Sequence, residues 1–229
     1  MSDITYGICN TAMRGALRAF SNWKVTGQEN VPLDGPLLIV SNHMSNIDPP
    51  IIAASIPRRV NFIAKRGIFK PGIRWFLKAY GAFALNADEE GKDIQAMLWM
   101  RQLLRQNRAV VIFPESHRNP YVGMQEAVSG VALLAAKTQT PILPVGLTGT
   151  EGLGPLWRVM FPTGNLSVNI GKPFTLPDVK GKMGAEQLKA MMGTVMGRIA
   201  DLMPKEYHGV YQPTDADTSE PEEISSDPQ

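Results

Sequence analysis

A histidine and an aspartate five positions apart, His43 and Asp48, lie in the stretch Val40-Ser41-Asn42-His43-Met44-Ser45-Asn46-Ile47-Asp48-Pro49-Pro50. A neutral imidazole can take a proton near neutral pH if something fixes its tautomer and supports the cation that forms. A carboxylate does both. On a straight helix the two side chains would stand roughly 140° apart. A turn followed by a helix start can bring them together. The plainer alternative is that Asp48 is only a helix cap and His43 a polar loop residue, since Asp is a favoured cap.

The elements around the pair set its position. Leu37-Leu38-Ile39-Val40 reads as a short buried strand. Pro49-Pro50 then opens a helix through Ile51-Ile52-Ala53-Ala54, because Pro is tolerated in a first turn. His43 therefore follows a strand's C-terminal end, with Asp48 as N-cap of the next helix. In open α/β sheets that rim is where ligands bind.

Two more loops carry charge at strand ends. Arg58 to Ala64 reads as a strand followed by Lys65-Arg66-Gly67, and Arg108 to Phe113 as a strand followed by Pro114-Glu115-Ser116-His117-Arg118. Arg118 is placed to fork onto a phosphate. A local Glu115–Arg118 salt bridge is the plainer alternative. Helices over 71–80, 93–106, 126–137 and 184–203 alternate with strands at 81–85, 141–146 and 166–170. The expectation is a single α/β domain with a mostly parallel or mixed central sheet flanked by helices. The methionines of 184–203 read as core filling.

Composition narrows the partners. The chain has 229 residues and a formal net charge of +2. Residues 213–229 hold six acids and no base, which leaves 23 bases against 15 acids in residues 1–212. A basic body suits phosphate substrates or an acidic lipid surface. Between Pro49 and Ala87 seven bases occur without an acid, interleaved with Trp75, Phe76 and Tyr80, as an anionic-lipid patch would be. Nucleic acid is disfavoured, because no recognised binding signature accompanies the charge. Residues 4–23 have helical spacing with basic edges at Arg14, Arg18 and Lys24, which suits a membrane interface or a helix docked on the core. The expected division is a membrane-facing helical segment over 1–24, the main domain over 25–212, and an acidic disordered tail over 213–229. One cysteine, Cys9, excludes an internal disulfide and any Cys₂ zinc site; three scattered histidines argue against a metal centre. No apolar run is long enough for a membrane span and no secretory signal is present, so a cytoplasmic location is expected.

The ordered motifs resemble the glycerolipid acyltransferase family, of the lysophosphatidic acid acyltransferase type, over roughly residues 20–175. Asn42, His43 and Asp48 meet its Asn-His-x4-Asp motif. Phe113-Pro114-Glu115-Ser116-His117-Arg118 keeps four of six positions of Phe-Pro-Glu-Gly-Thr-Arg, and Pro141-Ile142-Leu143-Pro144-Val145 matches a later apolar motif. Ser116-His117 replaces Gly-Thr, Lys65-Arg66-Gly67-Ile68-Phe69 lacks the family's Glu, and Ala87 stands where an acceptor-phosphate Arg is usual.

The resemblance implies transfer of an acyl group from acyl-CoA or acyl-carrier protein to a lysophospholipid hydroxyl, with no further cofactor, at the inner face of the cell membrane. His43 would be the base and Asp48 its support. Asn42, Lys65, Glu115 and Arg118 would bind substrate, with Ser116, His117 and Arg66 nearby. Cys9 is a poor nucleophile in an amphipathic helix, and no Gly-x-Ser-x-Gly elbow exists, so no acyl-enzyme is required. Thioester or lipid-ester hydrolysis, and non-catalytic lipid binding, are the competing readings.

Overall fold

The computed structural model describes residues 3–69, 71, 73–85, 92–179 and 181–212. Along the chain these form α1 (Asp3–Phe20), β1 (Ser21–Thr26), β2 (Leu37–Ser41), α2 (Asp48–Ser55), β3 (Val60–Lys65), α3 (Ile73–Ala79), β4 (Ala82–Leu85), α4 (Lys92–Arg105), β5 (Ala109–Ile112), α5 (Gly130–Thr138), β6 (Ile142–Thr148), β7 (Gly164–Ile170) and α6 (Ala185–Ala200). The seven strands make one sheet in the order β1-β7-β6-β2-β5-β3-β4. All neighbours are parallel except β6 and β7. The expected single α/β domain with a mixed sheet is what forms.

β2 is buried along its whole length because both of its faces are covered. Leu37 and Ile39 join the core beneath α1 and α2. Leu38 and Val40 join the opposite core beneath α4, α5 and α6. A strand covered on both sides has no solvent face to mark with polar residues, so its apolar run is continuous. The parallel strands β2, β5 and β3 are adjacent, so their C-terminal ends lie on one rim. That order brings the loops after Ser41, Ile112 and Lys65 side by side.

α1 docks on the core through Tyr6, Cys9, Met13 and Leu17, one face at helical spacing. Arg14, read from sequence as a basic edge, donates its Nε–H to the Ala54 carbonyl at 2.8 Å, and Asn10 donates to Ala53 at 3.1 Å. These bonds satisfy carbonyls in the last turn of α2 that the helix itself leaves open. The helix stops at Phe20, earlier than the spacing indicated. The next six residues form β1, which pairs with β7, so residue 24 lies inside a sheet strand.

The basic and aromatic run after Pro49 divides in the fold: Arg66, Arg74, Trp75 and Lys78 are exposed, as a surface patch would be, while other members are not. Tyr80 is buried among Tyr6, Phe62 and Phe76. Arg58 donates to the carbonyls of Pro32, Asp34, Gly35 and Asn107. Arg59 pairs with Asp3. These groups hold the fold together, which alternation along the sequence cannot distinguish from a lipid-facing array. Ala87 and the tail 213–229 lie outside the described residues. Among the described residues no helix is long and apolar enough to cross a membrane.

Gly149 follows β6 at the rim with φ +84°, and a Cβ there would fall on the Asn165 carbonyl. Gly149→Ala therefore combines a left-handed backbone with a backbone clash. It should lower unfolding free energy by about 2 kcal/mol or more in a urea titration.

Candidate active site

The chain turns sharply after β2, and the turn converges on one carboxylate. Asp48 is fully buried, and its Oδ2 accepts the His43 Nδ1–H at 2.8 Å and the backbone N–H groups of Met44 and Ser45, each at 2.7 Å. The Asp48 N–H closes the turn onto the Ser45 carbonyl at 3.3 Å. Asp48 is the first residue of α2 rather than its N-cap; Ile47 takes the cap position. With α2 started by the proline pair, the Asp48 side chain is free to reach back toward the loop.

A carboxylate can only accept, so it places the imidazole proton on Nδ1. Nε2 is left as the basic nitrogen, without a hydrogen-bond partner among the described residues. The His43 side chain is 16% exposed, so the ring reaches solvent from a mostly closed setting. Its orientation is fixed further by Phe113, stacked at 4.1 Å between centroids and 23° between planes. This constellation can accept a proton from a hydroxyl or a water and return it to a leaving group.

The loop after β5 grips the same segment. Buried Glu115 accepts the His43 N–H through Oε1 at 3.0 Å and the Gln125 N–H through Oε2 at 2.8 Å. The Asn119 N–H donates to the His43 carbonyl at 2.9 Å. Desolvation by burial pushes the Glu115 carboxyl pKa above the usual carboxylate range, against the lowering pull of the Gln125 and His43 N–H groups. Both Glu115 oxygens hold backbone, so in this geometry Glu115 shapes the site instead of presenting a free acceptor to substrate. No ion pair joins it to Arg118, so the local salt bridge is excluded.

Asn42 behaves likewise. It is buried, its amide donates to the Leu147 carbonyl at 2.8 Å, and its oxygen accepts the Leu147 N–H at 2.9 Å. It clips the end of β2 to β6, where direct substrate contact was expected. Ser45 and Asn46 extend the grip, donating to Leu153 at 2.7 Å and Gly154 at 2.7 Å. Sequence reasoning missed Ser45, Asn46, Asn119 and Gln125 because each of these bonds has a backbone atom at one end or both, which leaves no motif.

Ser116, His117 and Arg118 are exposed on the loop that holds Glu115, and Arg66 is exposed in the turn after β3. Arg118 directly precedes Asn119, whose N–H is bonded to the His43 carbonyl. Lys65 ends β3, and its side chain lies outside the described residues. Ser116 has φ +59°, the left-handed region that favours glycine. It occupies the position where the resembled motif has Gly.

Residues 22–148 match the Acyltransferase family model. The chain belongs to the acyltransferase family. It is 31% identical over 157 residues to the chloroplastic 1-acyl-sn-glycerol-3-phosphate acyltransferase LPAT1 of Arabidopsis thaliana, and 30% identical over 157 residues to its counterpart BAT2 of Brassica napus. Each alignment covers 67% of this chain, which spans 44% and 45% of those relatives, respectively. The crystal structure of the 1-acyl-sn-glycerophosphate acyltransferase PlsC from Thermotoga maritima superposes with a TM-score of 0.64 at 27% identity, covering 88% of this chain and 83% of that one.

Two outcomes test this geometry. Ser116→Gly should raise stability by a few tenths to about 1 kcal/mol in denaturant titration, since relief of a left-handed serine exceeds the added chain entropy of glycine. Glu115 with a raised native pKa binds its proton more tightly folded than unfolded. Its contribution is fully present below the ordinary carboxylate pKa and is lost as pH rises through the raised value. Wild-type stability should therefore fall relative to Glu115→Gln as pH climbs from about 4, read as the difference between the two urea midpoints.

Proposed function

We propose that this protein moves a fatty acyl group from acyl-CoA or acyl-carrier protein to the hydroxyl of a lysophospholipid such as 1-acylglycerol-3-phosphate, a step of phospholipid biosynthesis. The observation that carries this reading is the His43 Nδ1–Asp48 Oδ2 contact at 2.8 Å, with Nε2 left for the acceptor. The activity printed in the names of its relatives supports the same reaction.

Nε2 of His43 takes the acceptor hydroxyl proton as the oxygen attacks the thioester carbonyl. The C–O bond forms, the C–S bond breaks, and the departing sulfur takes the proton back from the imidazolium. Asp48 holds the ring and balances its transient charge. Glu115 keeps the His43 backbone in place, and Arg118, with Lys65 and Arg66, supplies cations for the acceptor phosphate. Neither a covalent acyl-enzyme nor a cofactor is needed. The outward face of α1, with Ile4 and Ile8 exposed, rests on an anionic membrane surface. The protein works peripherally on the inner face of the cell membrane.

His43→Ala should cut transfer by about 10³-fold or more while the chain still folds cooperatively, with a melting temperature lowered by several degrees for the lost bond to Asp48. The assay incubates labelled acyl-CoA with a panel of lysolipids and identifies products by mass spectrometry. Donor breakdown that proceeds equally without any lipid alcohol would instead assign a hydrolase. Full transfer by His43→Ala would overturn the mechanism.

A further inference from the structure

The loop between β6 and β7 does two things at once. Its base, at Leu153 and Gly154, is bonded to Ser45 and Asn46 of the catalytic turn. Its tip is a 3₁₀ turn over Leu156–Val159 that lifts large apolar side chains out of the protein. Trp157 is 58% exposed, Met160 68% and Phe161 48%. Phe161 meets Phe20, 47% exposed at the end of α1, edge to face at 5.3 Å. Val159 turns inward and packs against the core, which anchors the turn.

Four large exposed apolar groups side by side are unusual on a protein surface and mark a contact with an apolar partner. Charge indicates which one. The guanidinium of Arg158 lies 4.6 Å over the Trp157 ring and donates to Thr163 at 2.8 Å. From Gly152 to Gly171 the only charged residue is Arg158, and the last turn of α1, next to Phe20, carries Arg18 and no acid. Aromatic and apolar side chains accompanied by cations match the boundary between acyl chains and anionic headgroups, where Trp and Arg settle with one part dry and one part wet.

We propose that the 155–161 turn, with Phe20, is a wedge that enters an anionic bilayer surface beside His43. The inference rests on the membrane-associated reading above and adds a second insertion element to α1. Because Ser45 and Asn46 hold the base of the loop, seating the tip in lipid sets the catalytic turn at the level of the headgroups. An acceptor can then reach His43 without leaving the bilayer.

The test is co-sedimentation of the full chain with vesicles of phosphatidylcholine and phosphatidylglycerol, alongside vesicles of phosphatidylcholine alone. Trp157→Ser/Phe161→Ser should lower partitioning onto the anionic vesicles by about tenfold or more, since it removes two buried aromatic faces from the contact. Arg158→Glu should weaken binding to anionic vesicles selectively. Quenching of tryptophan fluorescence by brominated lipid should lose a component in Trp157→Phe, which needs no destabilised variant. Acyl transfer to a water-soluble, short-chain lysophospholipid should be unchanged in Trp157→Ser/Phe161→Ser. Absence of that transfer in the wild type would remove the catalytic reading while leaving the vesicle result to decide the wedge. Anionic-vesicle binding equal to wild type in the double variant overturns the proposal. So does wild-type self-association through this patch without vesicle binding.

Discussion

One buried oxygen atom, Oδ2 of Asp48, organises the rim of this protein. It accepts three N–H groups, from the His43 ring and from the Met44 and Ser45 backbone. Charge-assisted bonds of this kind contribute roughly 1.5–3 kcal/mol each, enough to offset much of the cost of burying a carboxylate. The same three bonds define the turn. Without the carboxylate, two backbone donors would be buried unpaired and the imidazole would lose its fixed tautomer. Stability of the loop and readiness of the base are therefore one interaction.

The sheet supplies what that interaction cannot. β2 lies between β5 and β6, so each neighbouring strand delivers a loop against the turn that carries His43. From one side Glu115 and Asn119 hold the His43 backbone at both its N–H and its carbonyl. From the other, Leu147, Leu153 and Gly154 receive Asn42, Ser45 and Asn46. Phe113 closes the remaining face of the ring. His43 is thus positioned by a web of bonds, some made by the side chains of Asp48 and Glu115 and some between backbone atoms. The departures at Ser116 and His117 fall on the exposed part of the loop, outside that web.

Legibility from sequence followed distance along the chain. The His43–Asp48 contact was readable because five residues, a proline pair and a strand end constrain it locally. The alternation of strands and helices, and the placing of three charged loops on one rim, were readable from apolar runs and their punctuation. Asn42 and Glu115 were singled out as substrate-binding residues, but the backbone partners they have in the fold were not foreseen. Leu147 is 105 residues from Asn42, and Glu115 is 72 residues from His43. Tyr80 and Arg58 illustrate the converse: a cationic aromatic run resembles a lipid-facing surface until packing shows which members are buried, like Tyr80, or bonded to backbone, like Arg58. Strand β1 was partly absorbed into the preceding helix, because Trp23 continues the apolar spacing of α1 across a real boundary.

The chain alone determined the elements, the chemical types available and the turn that unites an imidazole with a carboxylate, since these depend on local sterics and on nearest neighbours. Only the tertiary structure decided which polar groups are tied to backbone and which stay exposed at the rim. It also decided that Trp157 and Phe161 stand clear of the core while Val159 packs against it. The physical reason is that a hydrogen-bonding or apolar side chain has no preferred partner until strands far apart in sequence are brought into register, and burial then selects among equivalent residues by position.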